Sequence, residues 1–173
     1  MKDAPDFIEP FEAWRVWTLV RRDDEYSLGS VVQRTLWPAR EPFTAECLRH
    51  RLLRGLRRRR HAAPDVRCEC GIYAAALEHV GRYVADAPCG VVPRVLGQVA
   101  LWGTVVECER GFRASHAYPK RIYVPADAGE PWRIGWEEVA LGLWRYGVPV
   151  VGLAARAGEA PRHLADQQPA NAA

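Results

Sequence analysis

The sequence lacks any apolar run that approaches the ~20 residues needed to cross a membrane as a helix. It also lacks a signal-peptide pattern, because the first ten residues, MKDAPDFIEP, hold acidic residues and proline where such a peptide is basic and then apolar. There is no internal repeat and no catalytic motif. These absences exclude a helical membrane protein, and we expect a cytoplasmic protein without an evident enzymatic signature.

The number of cysteines is odd. The five cysteines are Cys47, Cys68, Cys70, Cys89 and Cys108. Because the count is odd and the expected compartment is reducing, we do not expect disulfides. We expect these cysteines to be free thiols or metal ligands. Cys89 and Cys108 are predicted to be ordinary core or surface thiols.

The length of 173 residues allows one sizeable hydrophobic core and is short for two. We predict a loose leader over residues 1–10, a single globular domain over 11–153 and a disordered tail over 154–173. The tail prediction rests on its Ala, Gly, Pro and polar composition, which shows no apolar period.

Hydrophobic periodicity predicts an α+β fold. The predicted strands cover residues 11–20, 28–38, 94–109, 112–124 and 148–153. Three helices are expected: one from an N-cap at Thr44 to about residue 58, one beginning at Tyr73, and one over 135–147 with Gly147 at C′. Glycines inside the long strand allow bends. The order favours a small, curled, mostly antiparallel sheet or a partly open barrel.

Four potential metal ligands fall within 24 residues: Cys47, His61, Cys68 and Cys70. Thiolates and imidazoles in fours are the usual ligands of structural zinc. The spacing predicts a structural zinc site on the loop before Gly71, although C-x-C is a less usual spacing than C-x-x-C. The alternative is a set of reduced thiols beside a surface histidine.

Two enzymatic alternatives stay open at this point. A catalytic zinc needs a nearby acid or base, and Glu69 is the only local candidate. A nucleophilic Cys47 would gain a lowered thiol pKa in the first turn of a helix beside Arg51, with His61 as its base. We expect neither, and we interpret the protein as a binding module more readily than as an enzyme.

Two segments carry a resemblance: H-A-A-P-D-V-R-C-E-C-G-I-Y-A (61–74) and L-W-G-T-V-V-E-C-E-R-G-F-R-A-S-H-A-Y-P (101–119), with W-P and A-x-C upstream within 37–47. Together they resemble a recurring small bacterial domain family, over most of residues 11–151. The resemblance implies no catalytic residues, but it supports the four ligands as a set. The curled sheet is also loosely similar to PUA-like barrels, a superfamily whose members include readers of RNA or modified bases.

Basic charge is concentrated in one segment. Seven of the 24 basic residues are arginines between positions 49 and 60, and without them the chain would hold 17 basic against 21 acidic residues. Arginine binds phosphate or carboxylate through a bidentate fork. We predict that nucleic acid is contacted by Arg54, Arg57, Arg58, Arg59, Arg60 and Arg113. An acidic protein surface is the alternative partner.

Aromatic residues accumulate on the predicted strands. Alternation along 112–118 places Phe112, His116 and Tyr118 on one face. With Tyr73 and Trp102 they are predicted to line a pocket that stacks a base, and the alternative is a packed core. The sequence thus predicts a zinc-stabilised module that recognises nucleic acid, with a protein-interaction domain or a small Cys- or metal-dependent enzyme as alternatives.

Overall fold

The computed structural model describes residues 9–33, 35–47, 61–80 and 92–153. Seven strands lie within these ranges: β1 (Phe11–Arg22), β2 (Glu25–Ser30), β3 (Phe43–Thr44), β4 (Ile72–Ala75), β5 (Arg94–Cys108), β6 (Gly111–Pro125) and β7 (Val150–Leu153). The helical elements are α1 (Trp136–Leu143), two 3₁₀ segments (Glu130–Trp132 and Trp144–Tyr146) and residues 77–80. None of the described helices is long and apolar enough to span a membrane.

The two longest strands, β5 and β6, form the hairpin that the sequence predicts. Their apolar and β-branched residues favour extended backbone, and a tight turn joins Cys108 to Gly111. The register shifts between Gln98 and Val99 and again between Trp102 and Val105. Gly103 lies at the second irregularity with φ +73°, a conformation that suits glycine. The predicted bends at glycines are therefore confirmed.

The sheet is curled, and its strand pairings form a circuit that begins and ends at β1. β1 pairs with β2 and β5, β5 with β6, and β6 with β4. A single residue pair, Trp14 and Ala75, then joins β4 back to β1. Among the described strands only β6 and β7 are parallel. A curled, mostly antiparallel α+β sheet is confirmed.

One edge of β6 determines where the functional site lies. β4 pairs with residues 111–114 of β6, β3 with 116–117 and β7 with 122–125. β5 occupies the opposite edge of β6 along almost its whole length. The end of β3 and the start of β4 therefore meet near Ser115, whose carbonyl accepts a hydrogen bond from the backbone N–H of Ala45 at 2.8 Å.

The core lies inside the curl and under α1. Trp17, Leu101 and Ile122 are fully buried, and α1 adds Val139 and Leu143. Each such side chain stabilises the fold by roughly 1.5–3 kcal/mol relative to exposure. Trp136 and Trp144 pack against this core. The last helical segment ends at Gly147, whose φ of +67° confirms the predicted C′ position.

Three predicted elements differ from the structure. The second strand ends at Ser30, and only an isolated bridge between Gly29 and Leu36 extends it. Thr44 belongs to strand β3 and caps no helix, while Tyr73 belongs to strand β4. Helical periodicity in short segments was overridden by pairing with β6, a contact distant in sequence. The predicted helix beyond Cys47, the leader before residue 9 and the tail from 154 lie outside the described residues.

Candidate metal centre

The structure brings Cys47, His61, Cys68 and Cys70 together. Each offers one ligand atom, and the four atoms all lie within 4.8 Å of one another. The Cys47 and Cys68 sulfurs are 3.8 Å apart, and His61 Nε2 lies 3.3 Å from the Cys70 sulfur. These four residues are positioned to hold a metal ion, as the sequence predicts.

Two of the separations are close to the edge lengths of a coordination tetrahedron. Zinc–ligand distances of about 2.3 Å for sulfur and 2.0–2.1 Å for nitrogen require ligand–ligand distances of about 3.8 Å and 3.6 Å. The observed 3.8 Å and 3.3 Å lie close to those values. A disulfide is excluded between the Cys47 and Cys68 sulfurs, because that bond is about 2.05 Å long. All the described cysteines are free thiols.

Two strands on one sheet edge position the ligands. Cys47 follows β3 by three residues, and Cys70 lies two residues before β4. Between His61 and Cys70 the loop is held by Asp65, which accepts hydrogen bonds from the backbone N–H of Arg67 through its carboxylate and of Cys68 through its carbonyl. A side chain at Gly71, where φ is +123°, would approach Pro64 Cβ to 3.0 Å. The loop therefore folds closely upon itself.

Arg113 stabilises this loop through hydrogen bonds to its backbone. Its Nη1 donates to the carbonyls of Cys68, Cys70 (3.0 Å) and Asp65 (3.4 Å), and its Nε lies 3.2 Å from the Cys108 sulfur. The residue is 7% exposed. The structure thus corrects the prediction that Arg113 contacts phosphate, because its guanidinium is committed to the ligand loop. One signal was present in the sequence: Arg113 lies within residues 101–119, the segment that the resemblance groups with residues 61–74.

The pKa values of Cys68 and Cys70 are shifted in opposite directions. Burial opposes ionisation of Cys68, but hydrogen bonds from the Cys70 backbone and from the side chains of Cys70, Cys47 and His61 outweigh it and lower the pKa of Cys68 to about 7. Burial, reinforced by the negative charge of Cys68, raises the pKa of Cys70 to about 11. Neighbouring thiolates repel one another, and a bound cation relieves that repulsion.

The five predicted pocket residues have different surroundings. Trp102 and His116 face each other across β5 and β6, with rings stacked at 5.9 Å between centroids. Phe112 packs on Phe11 at 4.3 Å. Tyr118 donates to the carbonyl of Tyr146 at 2.7 Å, and Tyr73 is 48% exposed. The structure brings Trp102 and His116 together, and the pocket as a whole stays a prediction.

His116 also contacts the irregularity at Gly103. Its Nδ1 lies 2.9 Å from Ser115 Oγ, and that hydroxyl accepts a hydrogen bond from the backbone N–H of Thr104 at 3.0 Å. The backbone bend therefore fixes the histidine ring against Trp102. The other predicted phosphate contacts, Arg54 and Arg57 to Arg60, lie outside the described residues.

Comparisons with known proteins add no relative. No family model, no curated protein and no solved structure matches this chain. The functional conclusion therefore depends on the geometry of the site.

Proposed function

We propose that this protein is a zinc-stabilised binding module in which a closed Cys₃His site holds the base of an arginine-rich segment that contacts nucleic acid. The observation that carries the proposal is the convergence of four soft or borderline ligand atoms within 4.8 Å. Three thiols and one imidazole suit zinc, since hard cations such as Mg²⁺ and Ca²⁺ prefer oxygen.

The ligand set favours a structural role for the metal. Four protein ligands complete the tetrahedral shell of zinc and leave no position for water or substrate. Glu69 lies between Cys68 and Cys70, and its backbone carbonyl accepts a hydrogen bond from the Tyr73 hydroxyl at 2.7 Å. We therefore favour a binding module over an enzyme.

The composition of the segment between Cys47 and His61 favours an anionic partner. The chain between Cys47 and His61 contains seven arginines and no acidic residue over residues 48–60. Because Cys47 and His61 belong to one cluster, both ends of this basic segment are fixed at the same point. Concentrated arginines bind phosphates and release counterions, so the affinity for nucleic acid falls steeply with salt.

The aromatic pair Trp102 and His116 supplies a candidate surface for a base. Aromatic rings stack on nucleobases without strict sequence preference. The rings are half-buried and stacked on each other, which leaves part of each accessible. A role in reading an unpaired or modified base, as in PUA-like domains, is the finer part of this proposal.

Fluorescence anisotropy with single-stranded and double-stranded RNA at two salt concentrations tests the proposal. We expect binding at low salt that weakens by orders of magnitude at high salt and is lost when Arg57, Arg58, Arg59 and Arg60 become alanine. The matched control changes four exposed arginines elsewhere to alanine: Arg22, Arg67, Arg110 and Arg133. Equal losses in both variants, or no binding at low salt, would contradict nucleic-acid recognition and leave an acidic protein partner as the alternative.

A further inference from the structure

Two buried N–H donors have no acceptor in the part of the chain that the structure describes: Arg15 Nε and Trp17 Nε1. They lie two residues apart on β1, and alternation directs both side chains to one face of the strand. That face is the core-facing one, since Ala13, Trp17 and Leu19 belong to the main core. Buried donors are nearly always paired, so two such donors on one face indicate a missing acceptor.

The surrounding side chains add donors rather than acceptors. Ser30 Oγ receives hydrogen bonds from Thr35 Oγ1 at 2.9 Å, from Trp37 Nε1 at 3.2 Å and from Arg15 Nη2 at 3.4 Å. A hydroxyl oxygen has only two lone pairs. Even if the Ser30 hydroxyl donates its own proton to Thr35 Oγ1, the N–H groups of Trp37 and Arg15 occupy both of its lone pairs, and none is left for Arg15 Nε or Trp17 Nε1.

The charge of Arg15 is also uncompensated. Its guanidinium lies 4.8 Å above the ring of Trp37, and Nη1 donates to the carbonyl of Tyr73. No ion pair joins it to a carboxylate within residues 9–33, 35–47, 61–80 and 92–153. Burial lowers the pKa of Arg15 to about 10, which reflects the cost of a cation placed there without a counter-ion.

We propose that Arg15, Ser30, Thr35 and Trp37 form a binding site for a small oxyanion, a phosphate or carboxylate group. An oxyanion supplies several lone pairs and the negative charge that this donor set lacks. The ligand group must be small, because Trp37 is 2% exposed and its ring packs edge-on against Trp17 at 5.3 Å. The site uses none of the proposed metal ligands and none of the residues between them, so it is independent of the proposed function.

Isothermal titration calorimetry of the full-length chain with inorganic phosphate tests the site, with potassium chloride holding ionic strength constant. Acetate and a nucleoside monophosphate serve as further probes, and they distinguish a carboxylate or a terminal phosphate from the free ion. We expect saturable binding of one anion per chain. Binding must persist when Arg57, Arg58, Arg59 and Arg60 become alanine, because the basic segment would otherwise explain it.

The deciding variant is Arg15→Gln, for which we expect at least tenfold weaker binding, since hydrogen bonds to charged groups contribute more than neutral ones. If Arg15→Gln does not fold, Ser30→Ala and Thr35→Val each remove one hydroxyl and are expected to weaken binding roughly three- to tenfold. Absence of saturable binding in the unmodified chain would overturn the proposal and assign the donors to buried water. Unchanged affinity in folded Arg15→Gln, or in both hydroxyl variants, would overturn it as well.

Discussion

The sulfur atoms of Cys47 and Cys68 lie 3.8 Å apart, although the two residues are 21 positions apart in the chain. Cys47 follows β3 and Cys68 precedes β4, two short strands that pair with neighbouring parts of β6. β3 contributes only two residues to the sheet and β4 only four. Pairing over so few residues is weak by itself, so a metal that links the two strands contributes directly to the stability of this edge.

Removal of the metal tests that contribution. Protein purified without added metal is expected to contain one zinc per chain by elemental analysis. Chelation is expected to lower the free energy of unfolding by several kcal/mol, because structural zinc binds small domains with about 10–16 kcal/mol. Cys68→Ser should reproduce the loss, whereas Cys89→Ser, which changes a cysteine other than the four proposed ligands, should retain the zinc. Full zinc content in Cys68→Ser would contradict the assignment of the site.

Arg113→Lys tests the support of the ligand loop. Lysine keeps the charge, but its single nitrogen cannot contact the Cys108 sulfur as Nε does while it also contacts the three carbonyls bonded by Nη1. We expect roughly 10–100-fold weaker zinc affinity, the usual cost of removing a residue that orients ligands. Competition with a chromophoric chelator measures this. Arg110→Lys, on the exposed turn before β6, is the control and should bind zinc as the unmodified protein does.

Two glycines with positive φ are expected to respond differently to alanine. A Cβ at Gly111 (φ +151°) would collide with the carbonyl of Ala74 and lie 2.7 Å from Ala75 Cα, whereas Gly147 (φ +67°) has nothing within 4 Å. Gly111→Ala should therefore cost roughly 2–4 kcal/mol by forcing β4 away from β6, and Gly147→Ala about 1 kcal/mol from backbone strain alone. Urea denaturation measures both. Equal losses would show that the close approach of β4 does not matter.

Tyr146→Phe tests a buried hydrogen-bond relay between the last helical segment and the sheet. The Tyr146 hydroxyl donates to the carbonyl of Trp37 and accepts from the backbone N–H of Leu28, each at 2.9 Å. Phenylalanine leaves the Leu28 N–H buried without a partner, and we expect a loss of about 1–3 kcal/mol. Tyr73→Phe serves as the control, because its hydroxyl bonds at an exposed position. Its stability should change by less than about 0.5 kcal/mol.

The same residue predicts a pH dependence. Burial raises the pKa of Tyr146 above its ordinary value of 10.0 and outweighs the hydrogen bond from Leu28 and the charge of Arg145, which both lower it. The folded state then holds a proton that the unfolded state has lost, so stability is full below about pH 10 and falls as the pH rises above it. Tyr26 and Tyr73 are shifted in the same direction. The difference in unfolding free energy between the unmodified chain and Tyr146→Phe should therefore shrink above pH 10, and a difference that is constant with pH would contradict the shift.

The regular parts of the fold could be predicted because their signals are local. The β5–β6 hairpin follows from two long apolar, β-branched segments around a turn, and α1 follows from its apolar stripe and Gly147. The convergence of the four potential metal ligands could also be predicted, since their residue types and their spacing can be read from the sequence.

The rest depends on contacts that a single sequence does not display. Thr44 and Tyr73 occur in segments with helical periodicity, yet both pair with β6 far along the chain. Arginine is usually a surface residue, but β6 places Arg113 where its side chain bonds to the backbone of the ligand loop. Alternation along β6 also failed to separate a buried face from an exposed face. It assigns Ala114 and Ala117 to opposite faces, yet both are fully buried.

The way β3 and β4 cover β6 has a consequence for the metal-free protein. Where these short strands cover it, the outer edge of β6 offers hydrogen-bonding groups to any strand that reaches them once β3 and β4 detach. A second metal-free chain has the same uncovered edge of β6 and the same detached strands β3 and β4. Zinc-depleted protein is therefore expected to self-associate through strand exchange.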